Sequence, residues 1–182
     1  MESLTRPRVA TVWLGGCSGC HMSLLDMDER LLDLAERMDL AYSPFMDIKE
    51  FPQNVDIALV EGAVANDDNA RLLRLVRERT SVLVAFGDCA VAGNVTALRN
   101  PLGDPMPVLA RSYGTDTARI PGVGANAEGV PPLVPKVHML RSLVAVDYYL
   151  PGCPPPADLI FFVLSELVAG RTLDLQSRAT LG

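Results

Sequence analysis

Each of the four cysteines in this chain follows an apolar run and a glycine. Cys17 and Cys20 come after residues 9–14, Cys89 comes after residues 81–86, and Cys153 comes after residues 143–150. Short continuous apolar runs predict strands buried on both faces, which is the pattern of parallel sheets. Because the carboxyl ends of parallel strands lie at one edge of the sheet, we expect the four thiols to lie close together.

The rest of the chain alternates between strand and helix patterns. We expect a short strand at residues 39–43, another at 55–60, and helices that begin near Ser23, near Asp67 and at about Ala157. Strand and helix in alternation favour a flavodoxin-like parallel sheet flanked by helices. Residues 1–182 are interpreted as a single domain, with an irregular Pro/Gly-rich loop from about 94 to 136 near the cysteine edge.

Composition excludes several classes of function. The chain has 182 residues and a formal net charge of −6. No basic cluster is present, so we expect no nucleic-acid partner. No apolar run is long enough to cross a bilayer and the first residues show no leader peptide, so we expect a cytoplasmic protein without a membrane contact. The mean hydropathy of +0.21 predicts that a partner covers part of the surface.

The four cysteines indicate a metal centre. Cys-x-x-Cys alone fits a redox dithiol, half of a zinc site or half of an iron–sulfur site. A redox dithiol leaves Cys89 and Cys153 without a role. Structural zinc sites use closely spaced pairs of ligands, whereas Cys89 and Cys153 are more than sixty residues apart. Four inert buried thiols are the remaining alternative. A [4Fe–4S] cluster tolerates distant ligands and often has proline directly after a cysteine, as in Cys153-Pro154. We therefore predict that Cys17, Cys20, Cys89 and Cys153 bind one [4Fe–4S] cluster.

Four other residues lie near the cysteines in sequence or at the same sheet edge. Glu61 follows the strand at 55–60 and is interpreted either as a proton relay or, preferably, as a structural carboxylate that accepts from loop N–H groups. We expect His21 to have a polar role at an interface, Trp13 to pack in the core and Asp88 to cap the turn after it. No residue of the chain is assigned a catalytic role.

These motifs together resemble a known family. Cys17-Ser18-Gly19-Cys20, Glu61-Gly62, Gly87-Asp88-Cys89-Ala90 and Pro151-Gly152-Cys153-Pro154 are similar to the small subunit of [NiFe] hydrogenases and, more distantly, to the cluster-bearing subunit of respiratory complex I. The short length and the proline-rich segment before Cys153 resemble the soluble NAD-reducing (bidirectional) type.

The resemblance implies an electron-transfer subunit with one proximal [4Fe–4S] cluster. It implies a large subunit that holds a Ni–Fe centre, and a diaphorase module that holds further Fe–S clusters, FMN and an NAD site. Two alternatives remain: the cluster subunit of a complex I-like oxidoreductase, and a flavin-binding electron carrier. The residues disfavour FMN in this chain, because Cys17 and Cys20 occupy the loop where flavodoxins bind phosphate.

Overall fold

The computed structural model describes residues 6–113 and 131–173. Within these ranges the strands are β1 (Arg8–Trp13), β2 (Asp39–Tyr42), β3 (Val55–Glu61), β4 (Val64–Asn66), β5 (Thr80–Phe86), β6 (Leu133–His138) and β7 (Tyr148–Leu150). The α-helices are α1 (Gly19–Leu25), α2 (Arg30–Ala35), α3 (Asp67–Arg79), α4 (Asp88–Ala92), α5 (Met106–Tyr113) and α6 (Ala157–Val168). In the described part of the chain, 3-10 helices span Asn94–Leu102 and Leu140–Ser142.

Five strands form one parallel sheet in the order β2-β1-β3-β5-β7, and β4 pairs with β6 in a separate antiparallel ribbon. In sequence order the parallel strands lie 2-1-3-4-5, which is the flavodoxin-like arrangement. The predicted fold class is therefore confirmed. No helix among the described residues is long and apolar enough to cross a membrane.

Both faces of the sheet are buried, because successive side chains of a strand point to opposite faces. On β3, Ala58 and Val60 pack on one face with Leu73 and Val76 of α3. Ile57 and Leu59 lie in the cluster on the other face, which contains residues of α1, α2 and α6. This two-sided burial explains why the strands read as continuous apolar runs instead of alternating ones.

The register of the sheet brings the carboxyl ends of four strands into one row. Trp13 pairs with Glu61, Glu61 pairs with Phe86, and Phe86 pairs with Leu150. Each strand leaves the sheet at or just after this row. The loops that carry the cysteines therefore start side by side, although they are far apart in sequence.

Three sequence-based expectations about the elements were wrong. The first helix begins at Gly19, so Ser23 lies inside α1 and its Oγ donates to the carbonyl of Pro155 over 2.6 Å. The last strand contains only Tyr148–Leu150, because the residues before it follow the 3-10 helix at Leu140–Ser142.

The expected irregular loop at 94–136 also contains ordered elements. The 3-10 helix Asn94–Leu102, α5 and β6 lie within it, while residues 114–130 lie outside the described residues. Neither helix buries a residue. Prolines and glycines interrupt this segment, and these residues are the usual sequence signals of loops, so the short helices were not predicted. That residues 1–182 form a single domain stays a prediction.

Candidate functional site

The four cysteines line one cavity at the carboxyl edge of the sheet. Cys17 lies between β1 and α1, Cys20 lies in the first turn of α1, Cys89 lies in α4, and Cys153 lies between β7 and α6. The cavity has a volume of about 60 Å³, and Gly19, Glu61, Asp88, Gly152 and Pro154 complete its wall. All four cysteines are free thiols. The structure therefore brings together every cysteine that the sequence singled out, together with Glu61.

Hydrogen bonds between loops hold this arrangement. The N–H of Gly87 donates to the carbonyl of Leu150 over 2.8 Å, which continues the β5–β7 pairing beyond the strands. Gly152 N–H donates to Oδ1 of Asp88 over 2.7 Å. The expectation that Asp88 caps the turn after it is therefore wrong, because α4 has no side-chain cap and the Asp88 carboxylate binds the segment at Gly152 instead.

The cavity places negative groups close to the thiols. Burial raises the pKa of the Cys20 thiol far above its ordinary value, and the charges of Glu61 and the other three cysteines raise it further. Burial also raises the pKa of Cys89, as do the charges of Cys153, Cys17 and Glu61, whereas the contact with the Thr96 side chain lowers it. Four thiolates together with Glu61 therefore repel one another unless a cation lies between them. Metal binding at such a site displaces thiol protons.

The surroundings of the thiols fit a compact inorganic group. A Cβ placed on Gly87 would overlap Sγ of Cys20, so only glycine leaves room for that thiol. The N–H of Gly19 donates to Sγ of Cys17 over 3.4 Å, the kind of outer hydrogen bond that orients a thiolate ligand. The volume of about 60 Å³ is far below the 300–1,000 Å³ of typical small-molecule pockets.

The part of the chain that the structure describes shows no mononuclear metal site. Tetrahedral zinc at 2.3 Å from each sulfur would require sulfurs about 3.8 Å apart. Among residues 6–113 and 131–173, no three His, Cys, Asp or Glu side chains are grouped closely enough to hold a single metal ion. Four thiols that line one cavity are a donor set that suits an iron–sulfur cluster.

Glu61 and His21 form a buried pair beside the cavity. Oε2 of Glu61 accepts from the main-chain N–H of His21 over 2.9 Å and from Nδ1–H of the same residue. The structural interpretation of Glu61 agrees with these contacts, and the proton-relay interpretation stays a prediction. His21 is buried, which corrects the expectation of an interface residue. Its ring makes edge contacts with Phe45 and Phe86.

Two further residues differ from what the sequence indicated. Trp13 is 47% exposed and donates from Nε1 to the carbonyl of Gly16 over 3.2 Å, so it does not pack in the core. Trp13 is the last residue of β1 and the exposed end of an otherwise buried strand. Thr96 was missed, although its hydroxyl contacts Cys89. A threonine seven residues after a cysteine is not part of any recognisable motif, so the sequence does not indicate this contact.

Comparison with a solved structure identifies the class of protein to which the fold and the four-cysteine cavity belong, which is that of hydrogenase subunits. The chain superposes on a chain of the crystal structure of the NAD+-reducing [NiFe]-hydrogenase in the H2-reduced state with a TM-score of 0.83. The two are 42% identical, and the alignment covers 92% of this chain and 93% of the other.

Sequence comparison gives the family. Residues 17–167 match the family described as NADH ubiquinone oxidoreductase, 20 Kd subunit. The chain is 42% identical over 173 residues to the NAD-reducing hydrogenase HoxS subunit delta of Cupriavidus necator, covering 93% of this chain and 82% of that protein. It is 38% identical over 175 residues to a subunit of the F420-non-reducing hydrogenase of Methanothermobacter marburgensis, of which it spans 56%. The chain belongs to this family, among its hydrogenase small subunits, and the resemblance predicted from the cysteine motifs is confirmed.

Proposed function

We propose that this chain is the electron-transfer small subunit of an NAD-reducing [NiFe] hydrogenase. In this proposal Cys17, Cys20, Cys89 and Cys153 bind a single [4Fe–4S] cluster. The chain then conducts electrons between the Ni–Fe site of a large subunit and a diaphorase module that carries further Fe–S clusters, FMN and the NAD site. The observation that carries the proposal is the cavity at the carboxyl edge of the sheet, which all four cysteines line.

A bound cluster supplies one-electron transfer, and the residues of the chain hold and tune it. The four cysteines come from loops anchored on a rigid parallel sheet, so their spacing is fixed before the cluster binds. The N–H of Gly19 donates a hydrogen bond to Sγ of Cys17, and the Thr96 side chain contacts Cys89. Such outer contacts stabilise the negative charge on the ligands and tune the site.

An exposed apolar surface next to the cavity supports a large-subunit partner. The 3-10 helix Asn94–Leu102 is held to the rest of the chain by Arg99, which donates to Ala65 and Val134, and by Asn100, which bonds both main-chain groups of Val137. The apolar side chains of this helix face outward instead, namely Val95, Leu98 and Leu102.

This outward face adjoins the cysteines, because Thr96 of the same helix contacts Cys89. A large apolar surface that is fixed by polar bonds and left open to solvent is typical of a subunit contact. We therefore assign it to the large subunit, with the cavity edge beside it.

The NAD-reducing type is inferred from two relatives. The HoxS delta subunit and the NAD+-reducing [NiFe]-hydrogenase chain are both 42% identical to this chain and are covered over 82% and 93% of their lengths. Those names supply the NAD-reducing activity and hence the diaphorase partner. The methanogen relative is named for an enzyme that does not reduce F420, and it is longer than this chain.

The test is iron, acid-labile sulfide and flavin analysis of the co-purified complex. We expect the wild-type complex to contain about four more iron atoms than complexes with Cys17→Ser or Cys153→Ser, and the same amount of flavin. Equal iron contents in the wild-type and variant complexes would refute the ligand assignment. A flavin retained by this chain after separation from the complex would instead favour the flavin-binding alternative.

A further inference from the structure

The residues directly before Cys89 and Cys153 bind each other reciprocally. Gly152 N–H donates to Oδ1 of Asp88 over 2.7 Å, and Asp88 N–H donates to the carbonyl of Gly152 over 2.9 Å. These two hydrogen bonds close a ring between two loops that are 64 residues apart in sequence. They therefore set the distance between two of the four thiols.

A side chain is needed here because main-chain bonding leaves the N–H of Gly152 without a strand carbonyl. The pairing of β5 with β7 stops at Phe86 and Leu150, and two main-chain bonds follow it, from Gly87 N–H to Leu150 and from Asp88 N–H to Gly152. Beyond it the loop turns sharply. A Cβ on Gly152 would lie 2.6 Å from Cα of Pro155. The N–H of Gly152 thus faces a carboxylate in place of a strand carbonyl.

Asp88 also lines the cavity itself. A carboxylate close to a group that gains an electron repels the added charge. Iron–sulfur potentials depend on the net charge near the cluster and on hydrogen bonding. Asp88 therefore has two separable properties, a hydrogen-bonding oxygen and a negative charge.

We propose that Asp88 is a positioning residue for the cluster: its Oδ1 holds the Cys153 loop against Cys89, and its charge lowers the reduction potential. The inference rests on the proposed function, since it assumes that the four cysteines bind a cluster. It assigns to Asp88 a role that the cysteine motif by itself does not.

Two variants separate the properties, and a third serves as control. Asp88→Asn retains a side-chain oxygen for Gly152 N–H but removes the charge, whereas Asp88→Ala removes both. Asp147→Ala is the matched control, because Asp147 also joins β5 to the β7 segment. Its Oδ2 accepts from Leu83 N–H over 2.7 Å and from Arg77 over 2.6 Å, at the opposite end of the strands.

The experiment uses assembled complexes with the wild-type chain and with each variant. It measures the rate of iron loss to a chelator and the midpoint potential of the cluster signal that disappears in a Cys89→Ser complex. We expect Asp88→Ala to lose iron about tenfold faster or more. Asp88→Asn should lose iron at close to the wild-type rate but have a more positive potential. Asp147→Ala should match the wild type in both measurements.

Each contrary result is informative. A wild-type rate and potential in Asp88→Ala would overturn the inference, as would iron loss in Asp147→Ala as fast as in Asp88→Ala. If Asp88→Ala does not assemble, Asp88→Asn decides, and an unchanged potential in that variant would overturn the inference. If substitution of the four cysteines leaves the iron content of the complex unchanged, the proposed function is overturned as well. If the iron content depends on the cysteines but the Asp88 variants match the wild type in iron loss and midpoint potential, only the positioning role is overturned.

Discussion

Glu61 at the end of β3 accepts two hydrogen bonds from His21, and both side chains are only 2% exposed. One donor is the main-chain N–H that follows Cys20, and the other is the imidazole ring. A single carboxylate thus ties the Cys-x-x-Cys segment to the central strand of the sheet. The contact explains how a short loop with three glycines keeps two thiols at a defined place.

We expect Glu61→Leu to destabilise the full chain. The substitution leaves the two buried His21 donors without an acceptor, which costs about 1–3 kcal/mol for an unsatisfied buried group. Glu61→Gln retains an acceptor oxygen and should lose less. Denaturant unfolding measures the difference, with Glu50→Ala, an exposed glutamate, as the control. Equal midpoints for Glu61→Leu and the wild type would show that the pair does not stabilise the fold.

Gly87 provides a test of the space around Cys20. Gly87 and Gly103 both have positive φ, at 83° and 71°, but a Cβ meets Cys20 Sγ at Gly87 and nothing within 4 Å at Gly103. Alanine at either position should cost about 1 kcal/mol in backbone strain. Only Gly87→Ala should also lower the iron content of the complex, because it displaces a predicted ligand. Equal iron in both variants would mean that the thiol adjusts without loss of the cluster.

The edge position of the cysteines could be predicted because it depends on local patterns and one rule of topology. Buried strands read as continuous apolar runs, and parallel strands end at one edge, so Cys89 and Cys153 were expected together. Glu61 was expected at that edge for the same reason. The parallel sheet with helices on both faces followed from the alternation of strands and helices.

Contacts between distant residues could not be predicted in this way. Ser23 was expected to start a helix, but its hydroxyl binds Pro155, more than one hundred residues later. Likewise His21 is buried because β3 supplies a carboxylate, and Asp88 binds Gly152 instead of its own turn. The choice between local and distant partners of a polar side chain depends on the folded geometry, which one sequence does not display.

The proposed large-subunit surface can be tested with charged substitutions. Leu98 is 75% exposed on the Asn94–Leu102 helix, and Leu32 is 69% exposed on α2. Leu98→Glu should weaken association with the large subunit by about tenfold or more, since it buries a charge in an apolar contact. Leu32→Glu should not. Affinity measured on purified subunits checks this, and equal weakening by both variants would exclude the assigned surface.

Asp147 predicts a pH-dependent contribution to stability. Burial raises its pKa, but hydrogen bonds from Leu83 N–H and Arg77 outweigh burial and hold the pKa below its ordinary value. A lowered carboxyl pKa stabilises the fold above the unfolded value of about 3.9, and this contribution is lost as pH falls through the folded value.

Asp147→Asn should therefore be less stable than the wild type at pH 7 by about 0.5–1 kcal/mol, because the side chain is partly exposed and screened. The difference should shrink as pH falls below the unfolded value of about 3.9, and should vanish once Asp147 is protonated in the folded chain. Comparing the free energies of unfolding of the two full chains at each pH cancels the contribution of other titrating groups. A difference that stays constant from pH 7 to pH 3 would show that the charge of Asp147 is not responsible.

The most direct test of the account uses an assembled complex with Cys89→Ser. If this chain conducts electrons through a cluster bound by its cysteines, the variant should retain H/D exchange at the large subunit and lose H2-dependent NAD reduction. Loss of both activities in one variant would indicate faulty assembly, so Cys153→Ser provides a second variant with a ligand from another loop. The account predicts that H/D exchange persists while NAD reduction falls at least about a hundredfold. NAD reduction at near the wild-type rate, in a complex shown to lack this cluster, would contradict it.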